Sequence, residues 1–535
     1  MPKEVRFIVV VGSLMSGLGK GITSASIGRI LQGQGIKAVP IKFDGYLNVD
    51  CGTMNPFRHG EVFVLDDGTE CDMDLGTYER FLNFDLKSEN SMTGGKLFRY
   101  VIDKERKGGY LGYDVQIVPH LTNEIKRWVK KVGEDRDADV VLIEVGGTVG
   151  DLENGYFLEA MRQLALEEKV AFVQVTYVPT MDAVGEQKTK PTQHATRLLA
   201  SLGIQPDVIV CREGEKLKQE AKKKISLFCN VPEEAIIDNP DVATIYEVPE
   251  LFEKQGLGKL LMDKLDLKSR GRDMVEWTKL VEKIGKPRTE ITIGITGKYT
   301  ALKDSYVSIK EALVHAGAKL GCRASLKWIE TTDIEEGKLK ADDALKDCQG
   351  IIVPGGFGAR GTEGKIECIR HARYHGVPYL GLCLGMQLAV VEYARNVCSL
   401  KNANSTEMDE KTENPVIDIL PEQKTVTEKG ATMRLGGQDV EIKEGTNAHK
   451  IYGALTARER FRHRYEVNPD YIERFEAGGL IFSGKAPKSN IMQVMELPGH
   501  AFFMGTQFHP ELSSRLERPH PLFVAFVEAA MKMKK

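Results

Sequence analysis

VPYLGLCLGMQ, residues 377–387, is an apolar run that breaks into a turn of small residues. A strand that passes straight into a helix reads this way, and it places the segment in an α/β sheet. Glycine is needed around such a turn because the backbone bends sharply and packs closely. The side chain lifted clear of the sheet is Cys383, with Gly381 and Gly385 two residues away on either side. The amides that follow point at whatever the sulfur attacks, and the helix N-terminus favours thiolate over thiol. Cys383 therefore reads as a nucleophile.

A nucleophile needs a base. About 120 residues downstream the chain reads FMGTQFHPE, with His509 and Glu511 two positions apart. In an extended segment these share a face, so the carboxylate can orient the imidazole. Upstream, PGGFGARG (residues 354–361) follows the strand-like GIIV and offers loop amides for an oxyanion. A lone cysteine would more often be a core residue, but three such stretches in this order argue for chemistry. The set resembles the class I glutamine amidotransferases, which release ammonia from glutamine. The resemblance implies Cys383 as nucleophile, His509 as base, Glu511 as its orienter, and Gly356 and Leu384 as oxyanion donors.

The chain has 535 residues, too many for one core, so two or three domains are expected. A formal net charge of -3 argues against general nucleic-acid binding. Nine scattered cysteines, odd in number and without a CxxC pair, look like reduced thiols rather than a disulfide frame or zinc site. FIVVV near the start is too short for a signal segment, and no run approaches transmembrane length. A cytoplasmic enzyme with no membrane partner is the expectation.

RFIVVV, residues 6–11, reads as a buried parallel strand, and GSLMSGLGKGITSAS follows, with a helix starting near Gly19. Strand, glycine loop, lysine and helix make a phosphate cradle. The strict P-loop pattern asks for glycine at 14 and a hydroxyl residue at 21, where this chain has Leu14 and Gly21. A plain turn between strand and helix thus stays open as an alternative. Without that hydroxyl, a magnesium ion needs other ligands.

Acidic candidates lie in DDGTECDMDLGTYERF and in DVVLIEVGGTVGDLE. Ligands gather outside the carboxyl ends of strands in doubly wound sheets, so Asp74 and Glu144 are expected to converge on the Lys20 loop. Asp66, Asp67 and Asp72 are expected to be merely solvated. Lys42 and Asp44 close the strand IKAVPIKFD, and a lysine there suits a transferring phosphoryl group. EQKTKPTQHATRLLASLG starts a helix at Pro191; Lys188, Lys190 and Gln193 at its start suit a polyphosphate, with a solvated basic cap as the alternative.

SGLGKG, DMDLGTYERF, EVGGTVGDLE and EQKTKPTQH, with GLCLGMQ behind them, closely resemble the CTP synthase family over essentially the whole chain. Other ATP-dependent amidotransferases of the glutaminase class would lack KTKPTQ and GDLE together. A protein with a dead glutaminase domain would gain nothing from keeping Cys383, His509 and Glu511.

The resemblance implies a variant P-loop, doubly wound amidoligase domain over 1–266, a linker over 267–288 and a class I glutaminase α/β domain over 289–535. It implies that Gly17, Leu18, Gly19, Lys20, Gly21, Ile22, Asp74 and Val242 bind ATP, and that Asp74 and Glu144 hold Mg²⁺. UTP or CTP would meet Ser16, Asp151, Leu152, Glu153, Lys188, Thr189, Lys190, Pro191, Thr192, Gln193 and Lys224. Glutamine would meet Gly356, Leu384, Gly385, Met386, Gln387, Glu407 and Arg464. Lys20 and Lys42 would serve phosphoryl transfer to O4 of UTP. The family further implies GTP activation, CTP feedback inhibition, an internal passage for ammonia and a homotetramer whose interfaces build the UTP site; it leaves room for filaments.

The family usually reads DPYLNVDPGTMSP where this chain has DGYLNVDCGTMNP, so Gly45 and Cys51 stand in place of prolines. That is expected to loosen the loop in its free state. Farther on, Lys224 is expected nearest the apolar face of its helix. One linker helix is expected to pack Met274, Val275, Trp277 and Val281 inward. TEKGATMRLGG, residues 427–437, matches the family's mobile lid, and residues 400–413 read as a surface loop holding Glu407.

Overall fold

The structure is a computed structural model that describes residues 4–55, 59–181, 185–271, 274–298, 303–419, 433–487 and 489–534. The lid-like stretch falls outside the described residues up to 432. The chain divides into two compact units: Met1–Asp50 with Asp74–Val281, and Cys51–Met73 with Glu282–Lys535.

The first unit is built on a parallel sheet of seven strands. Their order is Ile236–Pro240, Val208–Glu213, Val170–Tyr177, Arg6–Val11, Val140–Val145, Ala38–Asp44 and Ser91–Thr93. Alternate residues of the first strand feed different cores. Ile8 and Val10 pack with Ile27, Leu142 and Ile209 on one face, while Phe7, Val9 and Val11 pack with Phe43, Ile143 and Phe157 on the other. A strand buried on both faces must be apolar throughout, which is why RFIVVV shows no alternation. Register then sets the chemistry: Lys42 pairs with Glu144 on one side and with Ser91 on the other.

Residues 248–264 form two helices, Val248–Lys254 and Leu257–Lys264, divided at Gly256, whose φ of 84° is costly for other residues. Helix Val275–Gly285 packs back through Trp277, which is fully buried against Phe81 and Tyr246 with Arg29 over its ring. Val281 is buried beside it, but Val275 is 58% exposed, a correction to the expected inward face.

The second unit holds a nine-stranded sheet. Cys322–Glu330, Thr289–Gly297, Gly350–Val353, Tyr379–Leu382 and Phe503–Thr506 run parallel. Met492–Glu496, Ile481–Lys485, Arg434–Ile442 and Thr456–His463 continue the sheet antiparallel. The hairpin Val62–Val64/Glu70–Asp72 belongs here, although it was expected in the first domain. The cause lies in TARERFRH, where Arg458, Arg460 and Arg462 alternate on one face. They donate to Asp66 at 2.8 Å, to the Val64 carbonyl at 3.1 Å and to Glu70 at 2.7 Å. Asp66 is thus an anchor, not a solvated charge.

The two missing prolines are accommodated locally. Cys51 is buried and its N–H donates to the Glu70 carbonyl at 3.1 Å, a bond that proline cannot make. A Cβ on Gly45 would press on Asn154 and Glu153. The loosening expected at Cys51 is offset by that bond. Residues 403–405, expected in a loop, form a short strand beside Asn414–Ile419. Among the described residues, no helix is long and apolar enough to cross a membrane.

Candidate active site

The turn after Tyr379–Leu382 has the geometry its sequence implies. Cys383 caps helix Leu384–Asn396 with φ 50° and ψ -101°, a strained conformation for a residue with a side chain. Its N–H donates to the Thr506 carbonyl at 2.7 Å, which fixes the turn to the neighbouring strand. A Cβ on Gly385 would overlap the Val353 carbonyl, so this position tolerates only glycine.

The sulfur is buried and flanked on several sides. Its thiol donates to the Arg462 carbonyl at 3.6 Å and accepts from Gln507 Nε2 at 3.6 Å. His509 Nδ1 lies 2.7 Å from Glu511 Oε1. Burial opposes a charge on the imidazole, yet the Glu511 carboxylate and the Cys383 sulfur more than offset it and raise the His509 pKa to about 10. The glycine loop closes over the same point: a Cβ on Gly355 would stand 2.9 Å from His509 Cε1, and one on Gly356 3.8 Å from Leu384 Cδ2.

Polar groups line the approach. Gln387 donates to the Tyr465 carbonyl at 2.9 Å and to Gln507 Oε1 at 3.2 Å. Glu407 accepts from the Gly358 N–H at 2.8 Å, and burial pushes its carboxyl up. Arg464 and Glu407 both lie near Tyr465 and bias its hydroxyl in opposite directions. Gly385 and Met386 are buried in the first turn of the helix. Lys365 was not foreseen: fully buried under the glycine loop, it donates to the Pro354 carbonyl at 3.4 Å, and burial lowers its pKa to about 7. Gln507 was also missed, though it sits in the same FMGTQFHPE stretch as His509.

In the first unit, the carboxyl ends of three strands gather the expected charges. Lys42 Nζ lies 2.7 Å from Glu144 Oε1 and also bonds Asp74. Tyr78, unforeseen from sequence, donates to the other Glu144 oxygen. Lys20 Nζ donates to the Gly147 carbonyl at 2.6 Å, and burial lowers its pKa. Burial also pushes the Glu144 and Asp44 carboxyls up, and Asp44 Oδ2 is buried with no hydrogen-bond partner. A Cβ on Gly21 would overlap the Asp74 carboxylate. An acid therefore stands against the site where the strict P-loop has a hydroxyl. Asp74 and Glu144 supply hard oxygen donors of the kind Mg²⁺ takes, and in this structure Lys42 binds both.

Leu18 is buried, Gly17 and Gly19 have φ near 76° and 79°, and Ser16 is exposed beside them. Ile22 and Val242 are half-buried against the same core. Asp151 accepts from the Thr148 N–H at 2.7 Å, while Leu152 and Glu153 are exposed. Lys188 pairs with Glu186 at 2.6 Å, and Lys190 lies 5.4 Å over the Phe228 ring. Lys224 is exposed and pairs with Glu220 at 3.0 Å, a correction to its expected apolar-facing place. Beyond Pro191, Thr192 bonds Thr176 at 3.1 Å and Gln193 donates to Thr189 at 3.0 Å, but Gln193 Oε1 is buried without a partner.

Comparison with known proteins gives two family matches along the chain. Residues 6–267 match the family model "CTP synthase N-terminus", and residues 301–529 match "Glutamine amidotransferase class-I". A CTP synthase of Archaeoglobus fulgidus is 54% identical over 99% of this chain and 99% of its own length. One from Thermococcus kodakarensis is 54% identical over 99% of both chains. One from Symbiobacterium thermophilum is 50% identical over 98% of both.

Proposed function

The chain belongs to the CTP synthase family, and from that premise we propose how its residues divide the work of a glutamine-hydrolysing ligase that aminates UTP to CTP. The amidoligase work falls to the first unit and glutamine hydrolysis to the second. The observation that carries this reading is the contact set of Cys383, His509 and Glu511 at a strained strand-to-helix turn.

At that turn, the Cys383 thiolate attacks the amide carbon of glutamine while Gly356 and Leu384 amides receive the oxyanion. His509 passes a proton to the leaving nitrogen, and ammonia departs as the glutamyl thioester forms. Water then attacks the thioester and releases glutamate. Gln387, Glu407 and Arg464 hold the amino acid's polar ends, with Gly385 and Met386 shaping the floor.

At the Lys20 loop, the γ-phosphoryl group of ATP passes to O4 of UTP, and ammonia attacks C4 to expel phosphate. Lys20 and Lys42 offset the charge that builds on the transferring group. Gly17 to Ile22 and Val242 seat ATP. Mg²⁺, held by Asp74 and Glu144, supplies charge neutralisation to the phosphates when bound. Ser16, Asp151 to Glu153, Lys188 to Gln193 and Lys224 take UTP or CTP, and the unpartnered Gln193 oxygen fits that role. GTP activation, CTP feedback, a homotetramer and a cytoplasmic setting complete the proposal, on the family likeness alone.

The test is Cys383→Ala assayed with glutamine and with ammonium salts. Glutamine-dependent CTP formation is expected to vanish and ammonia-dependent formation to persist. Failure of ammonium to rescue the variant overturns the division.

A further inference from the structure

Away from both reaction sites, helix Thr362–His375 carries two histidines one turn apart at its carboxyl end. Residues four apart share a helix face, and the rings of His371 and His375 stand 4.5 Å apart between centroids. Asp342, in the first turn of Ala341–Leu345, meets the same pair. Its Oδ1 lies 2.6 Å from His371 Nδ1 and 3.7 Å from His375 Nε2. One donor atom from each of the three lies within 4.8 Å of the others. His371 is buried while Asp342 and His375 are exposed, so the cluster opens to solvent on one side.

A hydrogen bond between Asp342 and His371 accounts for one contact only. His375 is too far from the carboxylate for a hydrogen bond, yet its ring lies beside that of His371, tilted by 42°. Two imidazoles and one carboxylate are a borderline donor set, suited to zinc, cobalt or nickel rather than to magnesium or calcium. Arg370, a nearby cation that also acts on Asp342, is itself paired with Glu367 at 2.7 Å, which lowers its opposition to an incoming ion. The last-turn carbonyls of the helix favour a cation at this end.

We propose that Asp342, His371 and His375 form a site for a divalent transition cation of the zinc type, with a fourth position open to water. The ion would tie the end of Thr362–His375 to Ala341–Leu345. That helix begins directly after the glycine loop beside Cys383. An ion that binds only the folded chain raises its stability by mass action.

Cobalt(II) is the probe, titrated into the full chain in a Cys383→Ala background so that the catalytic thiol cannot bind it. With excess Mg²⁺ present to occupy the Asp74–Glu144 site, a single equivalent of cobalt(II) is expected to bind, with visible d–d bands, no thiolate-to-cobalt charge-transfer band and a raised melting temperature. His375→Ala and Asp342→Asn change exposed side chains; each is expected to weaken binding at least about tenfold and to remove the thermal shift. Absence of binding, binding unchanged in both variants, or a charge-transfer band from another cysteine overturns the proposal.

Discussion

The elbow in the second unit and the charge cluster in the first reach a poised state by different means. At Cys383 the arrangement is made by backbone: a strained φ, a glycine with no room for a Cβ, and an imidazole already charged by its neighbours. At Glu144 it is made by opposed charges, with one lysine held between two carboxylates and a third carboxylate left with an orphaned oxygen. The first needs only its substrate to react. The second is a set of charges that satisfy each other until phosphates and a metal redistribute them.

The largest expected effect tests the charge cluster. Lys42→Ala leaves Glu144 buried beside Asp74 without its cation and removes a partner of the transferring group. CTP formation is expected to fall about 10³-fold with glutamine and with ammonia alike. Near-normal turnover with ammonia would show that Lys42 only balances buried acids. Gly21→Ser comes next. It completes the strict P-loop pattern in sequence, yet its side chain must displace Asp74. Activity is expected to drop on the order of 10²-fold with either nitrogen source. A gain in activity would mean that the hydroxyl can replace the carboxylate.

These two variants also mark where sequence reading works and where it stops. Cys383, His509 and Glu511 were legible because a strand-to-helix turn and an i, i+2 pair are local patterns. Lys42 and Glu144 were legible because both stand near the carboxyl ends of parallel strands, and Asp74 because its acidic stretch opens a helix. Tyr78 and Lys365 were not, since nothing local tells which buried polar side chain turns toward a site. The grip of Arg458, Arg460 and Arg462 on residues 64–70 joins segments nearly 400 residues apart, about the 392 that separate Arg458 from Asp66, and no periodicity reports it. Val275 is a different lapse. Met274, Trp277 and Val281 keep helical spacing, and Val275 lies about 100° off that stripe, so the period itself excludes it.

A smaller effect tests the elbow. His509 has its pKa raised to about 10 against 6.5 for a free imidazole. Stability from the charged ring is therefore complete below 6.5 and is lost as pH rises through about 10. Glu511→Gln removes a group that raises this pKa, so the charged pair should break at lower pH. The alkaline limb of glutamine hydrolysis is expected to move down, while ammonia-dependent synthesis keeps its profile. An unmoved limb would assign the raised pKa to the Cys383 sulfur alone.

The smallest effect concerns Lys188 and Lys190, which the proposal assigns to the UTP or CTP triphosphate. Lys188 pairs with Glu186 and Lys190 rests over Phe228, so both charges are engaged only at the surface. A surface pair is worth little, and a triphosphate can displace it at small cost. If the lysines clamp the triphosphate that UTP and CTP share, they cannot tell substrate from product. Lys190→Ala is then expected to raise the UTP requirement and to relieve CTP inhibition together, each severalfold. Glu153, exposed beyond the glycine turn, is proposed to meet the nucleotide away from its phosphates, so Glu153→Ala is expected to separate the two effects. UTP saturation and CTP inhibition curves for both variants decide the matter. Should Lys190→Ala shift one curve without the other, the shared clamp fails, and these lysines are a solvated helix cap that leaves nucleotide binding to other groups.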